Sequence, residues 1–437
     1  MNRQRNGVLA TFIAIGALLT AAVVLVGCGG GSTGVQSPPG GTPNGTPLST
    51  SATPSAVALA QKAGTSVDPA IVAADNGFGL NLLDTLLPGS DGGNIAISPL
   101  SVALALQVLY NGASGSTQQA MASTLELGTL TDQALNSDNA ALQASLINPD
   151  PNVQLTIANS LWINQTDSPV LPSFTQTDEA YYGATIGDLA GAPDNVNAWV
   201  DSETHGLIPT ILPPDSQGEY RDAIIANVLY FKGAWTTSFD PSNTVSGAFT
   251  LSGGGEVSAQ LMHQTGSFDY AEGTLHGSAF QAVRIAYGQG RIGMLIVLPA
   301  AGVNVASFVS AMTVADLNGV TAQLQPSTVS IALPRFRASY SASLIPALTS
   351  LGMGIAFGQS ADFSALAPGA YVDMVLHETV VEVDETGTVA AAATVIGVTA
   401  AIAVPQIVMT MDHPFFYAIQ DSKTGELLFV GALMNPS

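Results

Sequence analysis

The chain has 437 residues, with 10 Lys and Arg against 32 Asp and Glu, for a formal net charge of −22. So few basic residues argue against nucleic acid and anionic membrane surfaces as partners. With 47% hydrophobic residues and 10% charged, an acidic disordered chain is excluded as well.

At the N-terminus, Arg3 and Arg5 precede an apolar run from Val8 to Val26 that ends in small residues. This is the pattern of an export signal, although the run is also about long enough to span a membrane. The order Leu25-Val26-Gly27-Cys28 favours export, because it resembles the bacterial lipobox. That resemblance implies a lipidated Cys28 as the mature N-terminus. The only cysteine of an exported protein has no internal disulfide partner, and a lipid anchor gives it a role. The Gly, Ser, Thr and Pro that follow bury too little surface to offset ordering entropy. The expected organisation is a signal peptide at 1–27, a flexible tether at 28–67 beginning with Cys28, and one domain at 68–437. That domain is expected outside the cytoplasm, lipid-anchored to the cell envelope or cell surface.

In the domain, Phe78, Leu82, Leu83 and Leu86 recur at helical spacing before Pro88-Gly89. Ser98-Pro99 opens a second helix, "SPLSVALALQVLY", with Ser98 as cap and Pro99 at the first helical position. "VQLTIANSLWIN" reads as a strand rich in β-branched and aromatic residues. "VNAWVDSETHGLIPTIL" is amphipathic and reads as a helix, while "AIIANVLYFKGAW" and "IGMLIVLP" read as buried strands. Helices lead and trail and strands dominate the middle and the end, which argues for an α+β fold.

Enzyme chemistry is not evident. Gly288-Gln289-Gly290-Arg291-Ile292-Gly293 spells a dinucleotide fingerprint, but it lies between two strands instead of between a strand and a helix. A hairpin turn using Gly at positive φ fits better. His377-Glu378 begins like a zinc helix and lacks the second His. The five His show no ligand spacing, so neither metal nor cofactor is expected.

From Gly387 to Pro405 there is no charge, only Ala, Val, Thr, Ile, Gly and a final Pro. A transmembrane helix here would be short, and a plain strand would be too long. A third reading is a segment that lives in two places, as an exposed loop and as a strand sliding into a sheet. It must then carry no charge, since an unpaired buried charge costs several kcal/mol. Inserted, Thr388, Ala390, Ala392, Thr394, Ile396 and Val398 would share one face.

The domain resembles the serpin family of protease inhibitors. The resemblance rests, in order, on "NIAISPLSVALALQVLYNGASGSTQQAM", "IANSLWIN", "VNAWVDSETHGLIPTIL", "NVLYFKGAW", "LPRF", "HETVVEVDETGTVAAAAT" and "DHPFFYAI". It implies a single serpin-type domain with a large central mixed sheet, two smaller sheets, eight or nine helices and an exposed reactive centre loop at about 385–405. The hinge would be Glu385, Gly387, Thr388, Ala390, Ala391, Ala392, Ala393 and Thr394, with Gly387 as pivot and Thr388 as the first side chain to enter. Before cleavage the loop is expected outside the sheet. Val389 departs from the family's usual Glu and belongs to the outward set. Counting along the loop puts the reactive bond at Ala401-Ile402; counting back from Pro414 would allow Ala403 instead.

The same resemblance places Asn94, Ser98, Ser101 and His377 in the shutter beneath the sheet. It places Trp235 in the breach, and pairs Arg335 with Glu385. It implies a bait and no catalyst: a serine protease forms an acyl-enzyme with the loop, which then inserts as an extra strand. Small residues near Ala401 suit an elastase-like or subtilisin-like protease, and the lack of Arg or Lys disfavours a trypsin-like one. The expected partners are that protease, in a covalent complex, and the lipid anchor, with the protein a monomer. The alternative is a non-inhibitory serpin acting as a surface binding or scaffold protein. No basic helix face is present to take a glycosaminoglycan.

Overall fold

Asp68 and Ser98 each start a helix by the same device. A side-chain oxygen accepts a backbone N–H of the first turn, and a proline follows where no donor is needed. In the computed structural model the described residues are 66–437, apart from 91, 148, 217, 219, 221 and 389–406. The signal peptide 1–27, Cys28, almost all of the tether, hinge residues 390–394 and the Ala401-Ile402 bond lie outside them.

The helices among the described residues are α1 (Pro69–Leu86), α2 (Pro99–Tyr110), α3 (Gly115–Thr124), α4 (Asp132–Leu146), α5 (Pro172–Tyr181), α6 (Asp194–Glu203), α7 (Val305–Ser310), α8 (Val314–Gln323) and α9 (Ile345–Leu348). None is long and apolar enough to cross a membrane. The early strands are β1 (Ile95–Ile97), β2 (Val153–Ile163), β3 (Thr185–Asp188), β4 (Ala223–Ala234) and β5 (Thr244–Thr250). Next come β6 (Glu256–Leu275), β7 (Ser278–Ala286), β8 (Ile292–Pro299), β9 (Gln325–Pro334) and β10 (Phe336–Ser343). The chain ends with β11 (Met374–Val383), β12 (Gly387–Thr388), β13 (Ile407–Thr410), β14 (Phe415–Asp421) and β15 (Leu427–Leu433).

Two sheets result. One has six strands in the order β10-β11-β12-β4-β2-β3. It is mixed: β4 and β11 run parallel, while β2 and β12 are antiparallel to β4. The other has nine strands. The two smaller sheets expected from the resemblance are joined here through β6, whose twenty residues pair with β5, β7 and β9. α2 touches β15 of one sheet and β2 and β4 of the other, and all of its residues are buried. That explains its apolar composition on every side. β4 is likewise buried along nearly its whole length and reads as a continuous apolar run.

The Gly288–Gly293 motif is the turn of the β7–β8 hairpin, with Gly288 at φ +52° and Gly290 at +97°. A helix N-terminus, which dinucleotide binding requires, is not there.

Candidate functional site

The polypeptide leaves β11 at Val383 and turns back within four residues. Asp384 makes the turn: its carboxylate accepts the backbone N–H of Thr386 (2.8 Å) and Gly387 (3.2 Å) and the Thr386 hydroxyl (2.7 Å). Acidic and amide side chains start turns in this way. The returning chain, Gly387–Thr388, then wedges between β11 and β4. Thr388 lies opposite Val383 on one side and Gly233 on the other, antiparallel to both.

A side chain could not occupy the first of these positions. Gly387 has φ +152°, and a Cβ there would collide with the carbonyl oxygen of Gly233. Gly233 is itself hemmed in by Phe231 and Tyr287. Two closely packed glycines, one in each strand, thus let the chain lie against β4. The turn is fastened on its outer side as well. The backbone N–H of Trp235 donates to Thr386 O (2.9 Å), the N–H of Phe239 donates to Glu385 O (2.9 Å), and the Trp235 indole donates to Asp384 O (2.8 Å). Trp235 stacks on Tyr287 at 4.3 Å and Tyr287 meets Phe231 edge-on at 5.0 Å, forming an aromatic wall beneath the wedge.

Thr388 is 1% exposed and its hydroxyl pairs with the Tyr287 hydroxyl at 2.6 Å. The expectation that the loop lies wholly outside the sheet before cleavage is therefore corrected: its first side chain is already inside. The physical reason is local. Asp384 and Gly387 bend the chain back at once, and the glycine pair leaves room for it.

Glu385 lies beside this turn. Arg335, in the link between β9 and β10, donates to it from Nε at 2.7 Å and again from its terminal nitrogen. The Thr244 hydroxyl donates to the same oxygen. The Glu385 side chain is 7% exposed and that of Arg335 45%, so this is not a fully solvated pair. Burial pushes the Glu385 carboxyl up, but the bonds from Arg335 and Thr244 outweigh burial and hold it below its usual range.

The lower half of the slot between β4 and β11 is closed by five parallel pairs, from Met374 opposite Ile224 to Glu378 opposite Val228. His377 and Asn227 are one of these pairs. The His377 Nε2 accepts the backbone N–H of Ser98 at 3.2 Å, which leaves Nδ1–H to donate to Asn227 Oδ1 at 3.0 Å. Asn227 Oδ1 also accepts the Ser101 hydroxyl (2.7 Å), and its amide nitrogen donates to Ser101 O (2.6 Å) and to Asn159 Oδ1. Burial pushes His377 down to about 3, so it is a neutral imidazole. A polar tie thus runs from β2 through β4 to β11, seated on the N-terminus of α2.

Ser98, Ser101 and His377 come together in this cluster, while Asn94 does not. It lies just before β1, four residues before Ser98, a span of roughly 13 Å in extended chain. There it accepts the N–H groups of Met434 and Asn435 and donates to Asn435 O. The residue missed from sequence is Asn227, at the centre of the tie. Its signal was present, a single amide within the apolar "AIIANVLYFKGAW". Trp235, Arg335, Glu385, Gly387 and Thr388 meet at the upper end of the slot. Among the described residues, no group of three or more His, Cys, Asp or Glu is placed to hold a metal ion.

Comparison with known proteins matches residues 73–436 to the family model Serpin (serine protease inhibitor). The chain is 29% identical over 394 residues to serpin B10 of Sorex araneus, covering 83% of this chain and 98% of that protein. It is 30% identical over 383 residues to the leukocyte elastase inhibitor of Sus scrofa, covering 83% and 99%. Among solved structures it is similar to a thermophilic serpin, tengpin, in the native state. The TM-score is 0.77 at 27% identity, over 85% of this chain and 95% of that one.

Proposed function

This chain belongs to the serpin family, and from that premise we propose that it is a suicide-substrate inhibitor of serine proteases. Serpins are in general protease inhibitors and not enzymes. The observation that carries the reading here is the two-residue strand Gly387–Thr388, which enters the slot between β4 and β11 antiparallel to both.

That strand is the first step of a longer insertion. Once the loop is cut, the chain beyond Thr388 can continue down the slot. Each step separates one parallel β4–β11 pair and forms an antiparallel pair on either side, the slightly more stable arrangement per residue. The side chains that follow Thr388 on the inner face are Ala390, Ala392 and Thr394, none of which brings a charge into the sheet. Insertion must open the His377–Asn227 tie, which makes that tie a latch against premature entry. A protease still esterified to the loop is carried along and its catalytic geometry distorted. Deacylation depends on that geometry, so the covalent complex persists.

For the target we propose an elastase-like or subtilisin-like protease. The loop offers Ala401-Ile402 with small neighbours and no Arg or Lys. One similar protein is named as an inhibitor of leukocyte elastase, which agrees with that class. We further propose that the protein is exported, lipid-anchored through Cys28 and active as a monomer. Its domain would stand outside the cytoplasm on the 28–67 tether.

The test is a panel of serine proteases read on denaturing gels, with mass spectrometry of the released peptide. The expected result is a complex that survives SDS and boiling with a small-residue-specific protease, and a C-terminal fragment beginning at Ile402. A cleaved band without complex for every protease would refute inhibition and leave the surface binding or scaffold role.

A further inference from the structure

Asn76, on α1, clamps the β14–β15 hairpin on both sides of one residue. Its amide nitrogen donates to Gly425 O (2.9 Å) and its Oδ1 accepts the N–H of Leu427 (2.9 Å). The residue between them is Glu426, 0% exposed, and neither of its carboxyl oxygens has a partner among the described residues. Asp75, beside Asn76, is also 0% exposed. One of its oxygens accepts the Gln107 amide of α2 at 2.7 Å, and the other has no partner among the described residues. The Gln107 carbonyl oxygen is buried and likewise unpartnered among the described residues. Three elements of the core therefore meet around four buried acceptor oxygens without donors. Buried polar groups are nearly always satisfied, and ionised carboxylates are acceptors only, whereas a protonated carboxyl is a donor. What this joint lacks is hydrogen.

We infer that Asp75 and Glu426 form a proton-closed joint between α1 and the β14–β15 hairpin, in which carboxyl protons supply the missing donors and their loss at alkaline pH loosens the fold.

The other groups around the joint do not supply that hydrogen. Arg291, on the approach to β8, is engaged by Asp421 at 2.8 and 2.9 Å and by Ser145. Asp421 also accepts the Lys423 backbone N–H and the Thr424 hydroxyl. Tyr182 donates to Asn136 and accepts from Asn139. On the helices packed against α1, α2 brings Tyr110, bonded to Asp132 of α4. α4 also carries Asp138, whose carboxyl is raised by burial and then by Asp68. α8 brings Asp316, bonded to Thr313 and His276. α7, α9 and residues 87–90 and 349–357 bring no titratable side chain. β14 adds Tyr417, buried and, among the described residues, unpartnered at its hydroxyl. Burial pushes Asp75 up to about 7, against the opposing bond from Gln107. Burial, then Asp75 and Asp421, pushes Glu426 well above its usual range.

The sign follows. In the unfolded chain both groups are ionised above about pH 5. The folded pair keeps its protons into the neutral range, so stability falls as pH rises. Each retained proton changes the folded-to-unfolded ratio about tenfold per pH unit.

The experiment compares the full chain with Asp75→Asn, Glu426→Gln and the double variant. Thermal midpoints are taken at a fixed scan rate from pH 6.5 to 9. Asp178 is also pushed up to about 7, by burial first, so the difference between wild type and variants is the readout. The wild type should lose midpoint as pH rises. Each single variant should lose less, and the double variant should lose least and be the most stable at pH 9. Should Glu426→Gln fail to fold, Asp75→Asn carries the comparison. Parallel profiles for wild type and variants would overturn the inference. So would a wild-type midpoint at pH 8 that rises with added calcium or sodium, since a bound cation would then be what closes the joint.

Discussion

Thr388→Arg puts the two-place behaviour of the loop to its hardest test. The native side chain is 1% exposed and bonded to the Tyr287 hydroxyl at 2.6 Å. An Arg that stayed in the slot would bury a guanidinium with no carboxylate beside it, at a cost of several kcal/mol, roughly 3–5 for an uncompensated buried charge. Overpacking would add about 1–3 kcal/mol. The bond to Tyr287 is lost in either case. An Arg that left the slot would forfeit only the few backbone bonds of Gly387–Thr388, about 0.5–1.5 kcal/mol each. Expulsion wins, so the hinge of the variant lies outside the sheet before cleavage. After cleavage the same barrier stands ahead of every new ladder bond. Insertion should stall, and a protease should complete deacylation before it is moved. The assay pairs two readings: SDS-stable complex with a small-residue-specific protease, and thermal midpoint before and after loop cleavage. The wild type should form complex and melt much higher once cut. The variant should be cleaved as a substrate and gain little. A variant that traps protease as the wild type does, with the same thermal gain, would refute the assignment of Thr388 as the leading inserted residue.

Ala401→Arg should redirect inhibition to trypsin-like proteases, whose pocket Asp binds Arg; unchanged specificity would move the reactive bond to Ala403. His377 is held neutral by burial, with its pKa pushed from 6.5 to about 3. Its folded pKa is depressed, so stability present above about pH 6.5 should fall by about 1.4 kcal/mol per pH unit on acidification toward 3; His377→Gln should flatten that part of the denaturation profile. Arg335→Ala should cost about 1–2 kcal/mol, between the values for surface and buried pairs, and speed amide exchange at Thr386 and Gly387; unchanged exchange would mean that Glu385 does not hold the turn. Cys28→Ser should release folded inhibitor from the membrane fraction, and retention there would count against lipidation.

Much of this fold was legible because its buried elements are long and apolar. β4 and α2 show it: burial on every side writes itself as an unbroken hydrophobic run, and Ser98-Pro99 marks where the helix begins. The hinge was legible as composition, a stretch of small uncharged residues after Gly387. Its position was not. Whether Thr388 lies in or out depends on two glycines in different strands, Gly233 opposite Thr388 and Gly387 packed against the Gly233 carbonyl. Asn227 was passed over for a similar reason. One amide in a strand is unremarkable until the parallel register sets it opposite His377. The Asp75–Glu426 joint gave no sign at all, since nothing local connects residues so far apart in sequence.

The final residues of the chain carry a consequence for how it is made. Asn94 holds Asn435 across a separation of 341 residues, and β1 has its only described ladder with β15. At ribosomal speeds of about 5–20 residues per second, that partner arrives roughly 20 to 70 seconds after Asn94. Until then β1 has nothing to pair with, and the nine-stranded sheet has an open end. A nascent chain that cannot close remains threadable, which is the condition a secretion channel imposes on its cargo. Under the export proposed here, that late closure would keep the chain open until it has crossed the membrane.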